Sequence, residues 1–166
     1  MNVSVEINGR VYEGEVEPRT SLADFIRHQA GLTGTHVGCE HGVCGACTVQ
    51  LAGEPIRSCL MLAVQADGLS LRTVEGLTEP GGELSPLQRA FVEHHALQCG
   101  FCTAGFLMTA DALLRRPEAA TMGEAEIRAE LAGNLCRCTG YEGIVAAVRQ
   151  VAGGPDGSAG ETAQPR

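Results

Sequence analysis

Gly38-Cys39-Glu40-His41-Gly42-Val43-Cys44-Gly45-Ala46-Cys47 is the stretch on which the reading of the chain turns. Together with Cys59, which follows a short hairpin, its cysteines are spaced C-x4-C-x2-C-x11-C. Three thiols on one loop and a fourth on the next strand form a cage that wraps whatever it holds. The wrapping must be close, which accounts for Gly38, Gly42 and Gly45 between the thiols. Glycine accepts positive φ, removes the Cβ, and lets backbone N–H groups point inward at sulfur.

Eight cysteines occur in all, the others being Cys99, Cys102, Cys136 and Cys138. The N-terminus, Met-Asn-Val-Ser-Val-Glu, has neither the basic nor the apolar region of a secretory signal. The thiols are therefore expected reduced, in the cytoplasm, and not as disulfides. A zinc ribbon on Cys44/Cys47 and Cys99/Cys102 would use two C-x-x-C pairs but orphan the other four cysteines. The opening triplet matches the spacing of plant-type [2Fe–2S] ferredoxins. Two four-cysteine iron–sulfur sites use every thiol, and that is the reading preferred here.

Outward from this loop, the chain changes character once. Val3, Val5 and Ile7 alternate with polar residues as a half-buried strand, Asn8-Gly9 supplies a tight turn, and a second strand runs to about Glu17. Ser21 with Asp24 opens a short helix carrying Leu22, Phe25 and Ile26, closed near Gly31. Beyond the loop, Val49 and Leu51 mark a third strand and residues 52–55 a turn. Residues 56–58 form a return strand delivering Cys59, and residues 69–74 a last strand. From Ser85 the apolar period becomes 3.6. Ser85-Pro86 with Gln88 makes a capping box ahead of Leu87, Ala90, Phe91 and His94. Thr103 is expected to cap a second helix with Phe106, Leu107, Ala110, Leu113 and Leu114 inward. Thr121 with Glu124 would begin a third, carrying Ile127 and Leu131. Thr139 with Glu142 would begin a fourth, with Ile144, Val145, Val148 and Val151. The expected class is α+β: a small sheet domain over 1–76, a glycine-rich linker over 77–84, a four-helix bundle over 85–152, and a mobile tail over 153–166.

Composition removes several functions. Twelve basic against 20 acidic residues give a formal charge of −8, to which thiolate-ligated clusters would add, so nucleic acid and anionic membrane are poor partners. No apolar run has the length of a membrane span. Four Phe, two Tyr and no Trp leave little for a base-stacking platform. There is no Ser/His/Asp set, P-loop or dinucleotide fingerprint, so substrate chemistry is assigned to a partner. His41 lies in the loop, but four cysteines already suffice there. His36, His94 and His95 are expected in packing or subunit contacts and His28 at the surface.

Cys99-x2-Cys102 and Cys136-x-Cys138 fall at two helix junctions. Neither pair completes a shell alone, but two turns at one end of a bundle can supply four thiolates. The stretches Gly38 to Val49, Gln98-Cys99-Gly100-Phe101-Cys102 and Gly133-Asn134-Leu135-Cys136-Arg137-Cys138-Thr139-Gly140-Tyr141 together resemble the iron–sulfur subunit of molybdenum hydroxylases, the xanthine oxidase family. The resemblance covers about Val3 to Ala152, with Ala104 where the family usually has proline. It implies a plant-ferredoxin-like β-grasp domain followed by a helical [2Fe–2S] domain. It also implies a large molybdopterin-binding partner and a medium FAD-binding partner, commonly as a dimer of heterotrimers. Cys39, Cys44, Cys47 and Cys59 would hold the cluster nearer the flavin. Cys99, Cys102, Cys136 and Cys138 would hold the one nearer molybdenum, with Gln98 and Cys138 meeting the pterin. The rival readings are a free two-cluster ferredoxin, to be told apart by co-migration with flavin and molybdenum, and a colourless zinc module.

Overall fold

The computed structural model describes residues 1–153; the expected mobile tail lies outside them except for Gly153. Strands β1 (Asn2–Ile7) and β2 (Arg10–Glu15) form an antiparallel hairpin. Its Asn8-Gly9 turn has φ of 55° and 78°, the left-handed pair that a two-residue hairpin turn demands. β3 (Thr48–Leu51) and β4 (Glu54–Arg57) form a second hairpin around Ala52-Gly53 alone. The return strand thus begins two residues earlier than the sequence reading placed it. Pro55 is tolerated there because β4 is an edge strand.

β5 (Ser70–Arg72) runs parallel to β1 and antiparallel to β3, giving the order β2-β1-β5-β3-β4. It is shorter than expected, because Val74–Leu77 winds into a 3₁₀ turn. Val3, Val5, Ile7, Val49 and Leu71 meet Leu22, Phe25 and Ile26 in the core beneath the sheet. Those last three lie on α1 (Leu22–Asp24) and the π turn Phe25–Gln29 that continues it, closed by Ala30 N–H donating to the Phe25 carbonyl at 3.0 Å. The single-turn π widening was not foreseen. Arg27 on that turn reaches the carbonyls of Thr33 and Thr35, both at 2.8 Å, and so ties down the approach to the cysteine loop.

The second half has α2 (Pro86–Glu93), α3 (Thr103–Leu114), α4 (Glu124–Leu131) and α5 (Glu142–Ala152). The Ser85/Gln88 capping box forms as read. Three other caps differ from expectation. Cys102 precedes α3 and Thr103 is its first residue; Gly123 precedes α4, Thr121 having been drawn into a 3₁₀ turn over Pro117–Thr121; Tyr141 precedes α5. Leu87, Phe91, Phe106, Leu113, Ile127, Leu131, Ile144 and Val148 make the helical core, joined by Leu77. Burial of each such side chain is worth about 1.5–3 kcal/mol, so the apolar stripes read from sequence are what hold the bundle.

α3 lies against β3 and makes the two cores one body. Buried Gln50 of β3 donates from Nε2 to the Met108 carbonyl at 2.9 Å and to Asp111 Oδ2 at 2.8 Å. Arg72 of β5 and Arg115 both reach the same Asp111 oxygen at 2.8 Å. Among the described residues no helix is long and apolar enough to cross a membrane.

Candidate metal centre

The loop between the π turn and β3 carries Cys39, Cys44 and Cys47, and β4 delivers Cys59 to the same place. The Cys39 thiol pairs with Cys44 and the Cys59 thiol with Cys47. Gly42 and Gly45 have φ of 84° and 74°, as the tight loop requires. Gly38 is spared positive φ, but a Cβ there would stand 3.3 Å from Cys44 Sγ and 3.1 Å from the Phe101 ring. The Cys44 N–H donates to Cys39 Sγ at 3.4 Å. That bond first, with the His41 N–H next, lowers the Cys39 thiol to about 6. Burial raises Cys59 to about 11, reinforced by the neighbouring Cys47 thiol. Ser58 fixes the Cys47 carbonyl at 2.7 Å, and His41 turns its Nδ1 to the Cys39 carbonyl.

The second set assembles at the mouths of α3 and α5. Cys138 Sγ lies 3.6 Å from Cys99 Sγ, both exposed, and Cys102 pairs with Cys136 further in. Burial pushes Cys102 up to about 12. Burial also raises Cys136, but the hydroxyl and N–H of Thr139, with Sγ contacts of 3.1 and 3.4 Å, outweigh it and lower the thiol overall. The adjacent Cys99 thiol raises Cys138. Thr139 thus serves the sulfur instead of capping α5. Tyr141 sits at φ 72° so that its hydroxyl accepts the Cys136 N–H at 2.9 Å while its ring packs edge-on to Phe106. Gln98, just before Cys99, is exposed. The Thr103 hydroxyl beside Cys102 is buried without a partner among the described residues.

All eight cysteines are free. The 3.6 Å between Cys99 and Cys138 is far beyond the roughly 2.05 Å of a disulfide. Among the described residues no three His, Cys, Asp or Glu side chains form a shell for a single metal ion. Four thiols close to one another at each of two places, with no shell about a single point, suit a group with two irons, each taking two thiolates. Zinc, which takes four ligands about one point, fits this donor set poorly.

The two cysteine sites touch through residues to which the sequence reading gave no role. Asn134 is 1% exposed and donates from Nδ2 to the Gly45 carbonyl at 3.0 Å, while Thr109 Oγ1 lies 2.9 Å from its Oδ1. The Leu135 N–H donates to the Cys44 carbonyl at 2.9 Å. Arg57 spans the same seam, reaching Thr48 Oγ1 and the Gly133 carbonyl, both at 2.6 Å. A Cβ on Gly105 would stand 2.2 Å from the Gly45 oxygen, so only glycine lets α3 approach the loop. His36 stacks on Phe101 with ring centroids 4.9 Å apart, and its Nδ1 is 2.8 Å from the Phe101 carbonyl. Asn134 could have been noticed as a polar residue set into the third cysteine motif; Arg57 and Thr109 carried no local signal.

Residues 5–71 match the family of 2Fe-2S iron-sulfur cluster binding domains, and residues 73–149 match the [2Fe-2S] binding domain family. The chain is 58% identical over 150 residues to the caffeine dehydrogenase subunit gamma of Pseudomonas sp. (strain CBB1), covering 90% of this chain and 89% of that one. It is 55% identical over 153 residues to the nicotine 6-hydroxylase small subunit of Paenarthrobacter nicotinovorans, covering 92% and 90%. Among solved structures, quinoline 2-oxidoreductase from Pseudomonas putida 86 superposes with a TM-score of 0.84 at 55% identity, covering 92% of both chains. With both [2Fe–2S] domain families matched and relatives matched along nearly their whole length, the chain belongs to the small [2Fe–2S] iron–sulfur subunits of the molybdenum hydroxylase family.

Proposed function

We propose that this electron-transfer subunit relays single electrons between a molybdopterin site in a large partner and FAD in a medium partner. Cys39, Cys44, Cys47 and Cys59 would hold one [2Fe–2S] group, and Cys99, Cys102, Cys136 and Cys138 the other. Each group, when bound, supplies a one-electron centre whose potential responds to hydrogen bonds at its sulfurs and to burial. The protein's part is to fix, shield and tune. N–H and hydroxyl donors at Cys39 and Cys136 favour thiolate, and α3 packed on β3 keeps the two sites in register. The chain is read as a ferredoxin-like unit over 1–76, a connector over 77–84 and a helical unit over 85–152, in a cytoplasmic dimer of heterotrimers.

The observation that carries the relay is the exposure of both Cys99 and Cys138 beside the inward pair Cys102 and Cys136. One edge of the second site is thereby open to a partner, and exposed Leu97, Phe101 and Leu135 surround it in sequence. Gln98 and Cys138 are the residues assigned to meet the pterin. Val43 and Leu60, 57% and 61% exposed beside Cys44 and Cys59, offer the flavin-bearing partner an apolar contact. The test is Cys138→Ala in the assembled complex. Substrate should still bind and reduce molybdenum while flavin reduction stalls; unimpaired flavin reduction would overturn the assignment.

A further inference from the structure

We propose that Asn134 is a positioning residue that couples the two thiol sites, so that filling one raises the affinity of the other. This deepens the ligand assignment just made and rests on it. The Gly45 carbonyl, directly after Cys44, takes the N–H and hydroxyl of Thr48 at 3.1 and 2.6 Å as well as the Asn134 amide. The neighbouring Cys44 carbonyl takes the Leu135 N–H. The residues that pin the first loop are therefore the two that immediately precede Cys136. Asn134 is itself held from behind by Thr109 of α3, the helix that begins beside Cys102.

Loading a site orders the loop that carries its ligands, so part of the binding free energy is spent on backbone fixation. Here the ordered backbone is shared. A first loop fixed by its own cluster presents the Cys44 and Gly45 carbonyls in the positions that Leu135 and Asn134 need, which sets the approach to Cys136 and Cys138. The reverse holds equally, since coupling between binding sites is reciprocal. Buried amide bonds of this kind have no water to replace them, so the contact behaves as made or unmade and not as a gradual spring.

The full chain, reconstituted anaerobically with limiting iron and sulfide, would be analysed by native mass spectrometry for molecules carrying no, one or two clusters. At half loading, independent sites leave about half the molecules or more with a single cluster, however unequal their affinities; a tenfold coupling lowers that fraction, to about a quarter where the two affinities are equal. The unaltered chain is expected to carry fewer single-cluster molecules than either variant. Asn134→Ala and the milder Thr109→Val, which keeps the side-chain shape but removes the hydroxyl behind Asn134, should both restore a single-cluster fraction of about half or more. Should Asn134→Ala not fold, Thr109→Val decides. A single-cluster fraction in the unaltered chain no lower than in the two variants overturns the coupling. So does a variant that melts earlier yet keeps the original distribution, since Asn134 would then be structural only. A chain that gains no cluster mass overturns the thiol assignment itself, and the coupling with it.

Discussion

At the scale of single residues, the thiols that share one chemistry are held at very different proton affinities. Cys39, served by the Cys44 N–H, is lowered to about 6; Cys102, buried, is raised to about 12. In iron-free chain at pH 7, Cys39 is thiolate and Cys102 is thiol. Iodoacetamide should therefore label Cys39 first, with a rate that rises through about pH 6, and Cys102 last, as peptide mapping would show. Equal labelling of the two would contradict the hydrogen-bond account. The linked stability follows with opposite signs. Cys39 has its folded value depressed below the ordinary thiol, so its contribution is present above the ordinary value and is lost as pH falls through about 6. Cys102 has its folded value raised, so its contribution is present below the ordinary value and fades as pH rises toward 12. Iron-free chain should consequently melt earlier at alkaline pH in a manner relieved by Cys102→Ala.

At the scale of elements, the seam between α3 and the sheet concentrates its polar cohesion on one carboxylate. Asp111 receives Gln50, Arg72 and Arg115 on a single oxygen at a site only 21% exposed. Asp111→Ala takes one partner from the buried Gln50 amide, which keeps the Met108 carbonyl, and one from half-buried Arg72, which keeps the Gly76 carbonyl; hydrogen bonds to charged groups are worth about 1.5–3 kcal/mol. Arg115 is half exposed and adds little. A loss of about 2 kcal/mol, read as a melting point lower by roughly 4–8 °C, is expected. Gly105→Ala tests the same seam sterically: its Cβ would meet backbone at 2.2 Å, so overpacking of about 1–3 kcal/mol should follow, whereas an unchanged melting point would show that α3 can retreat. These two residues also mark where sequence legibility ends. Strand alternation at Val3, Val5 and Ile7, the capping box at Ser85 and the helical stripes could be read because each is a pattern within one element. The cysteine spacing could be read because a cage imposes it on a local segment. The insertion of β5 between β1 and β3, the Gln50 and Arg72 contacts of Asp111 and the Gly45 contact of Asn134 are pairings between residues far apart in the chain. Nothing local distinguishes Thr109 from a solvated threonine or Gly105 from a helix-weakening glycine. Thr139 misled for a related reason: a threonine beside a cysteine can serve sulfur as well as a helix end, and the sulfur took it.

At the scale of the whole molecule, the question is what fastens an acidic subunit to its partners. The formal charge of −8 invites an electrostatic answer. Magnitudes favour another. Exposed ion pairs contribute about 0–1 kcal/mol each and are screened by salt, whereas covering one large apolar side chain is worth about 1.5–3 kcal/mol. Leu60 is 61% exposed, lies next to Cys59 and leans over Gly42, so it is the apolar side chain best placed to meet a partner at the first site. Leu60→Asp should weaken retention of the proposed flavin-bearing subunit about tenfold or more, seen as a fallen flavin-to-iron ratio after gel filtration of the complex. The visible absorption of the iron–sulfur groups should persist, since Leu60 supplies no ligand. Raising salt on the unaltered complex should cost less than this one substitution. If salt alone strips the flavin and Leu60→Asp does not, charge and not the apolar contact holds that partner, and the face assigned to it around Cys59 is the wrong one.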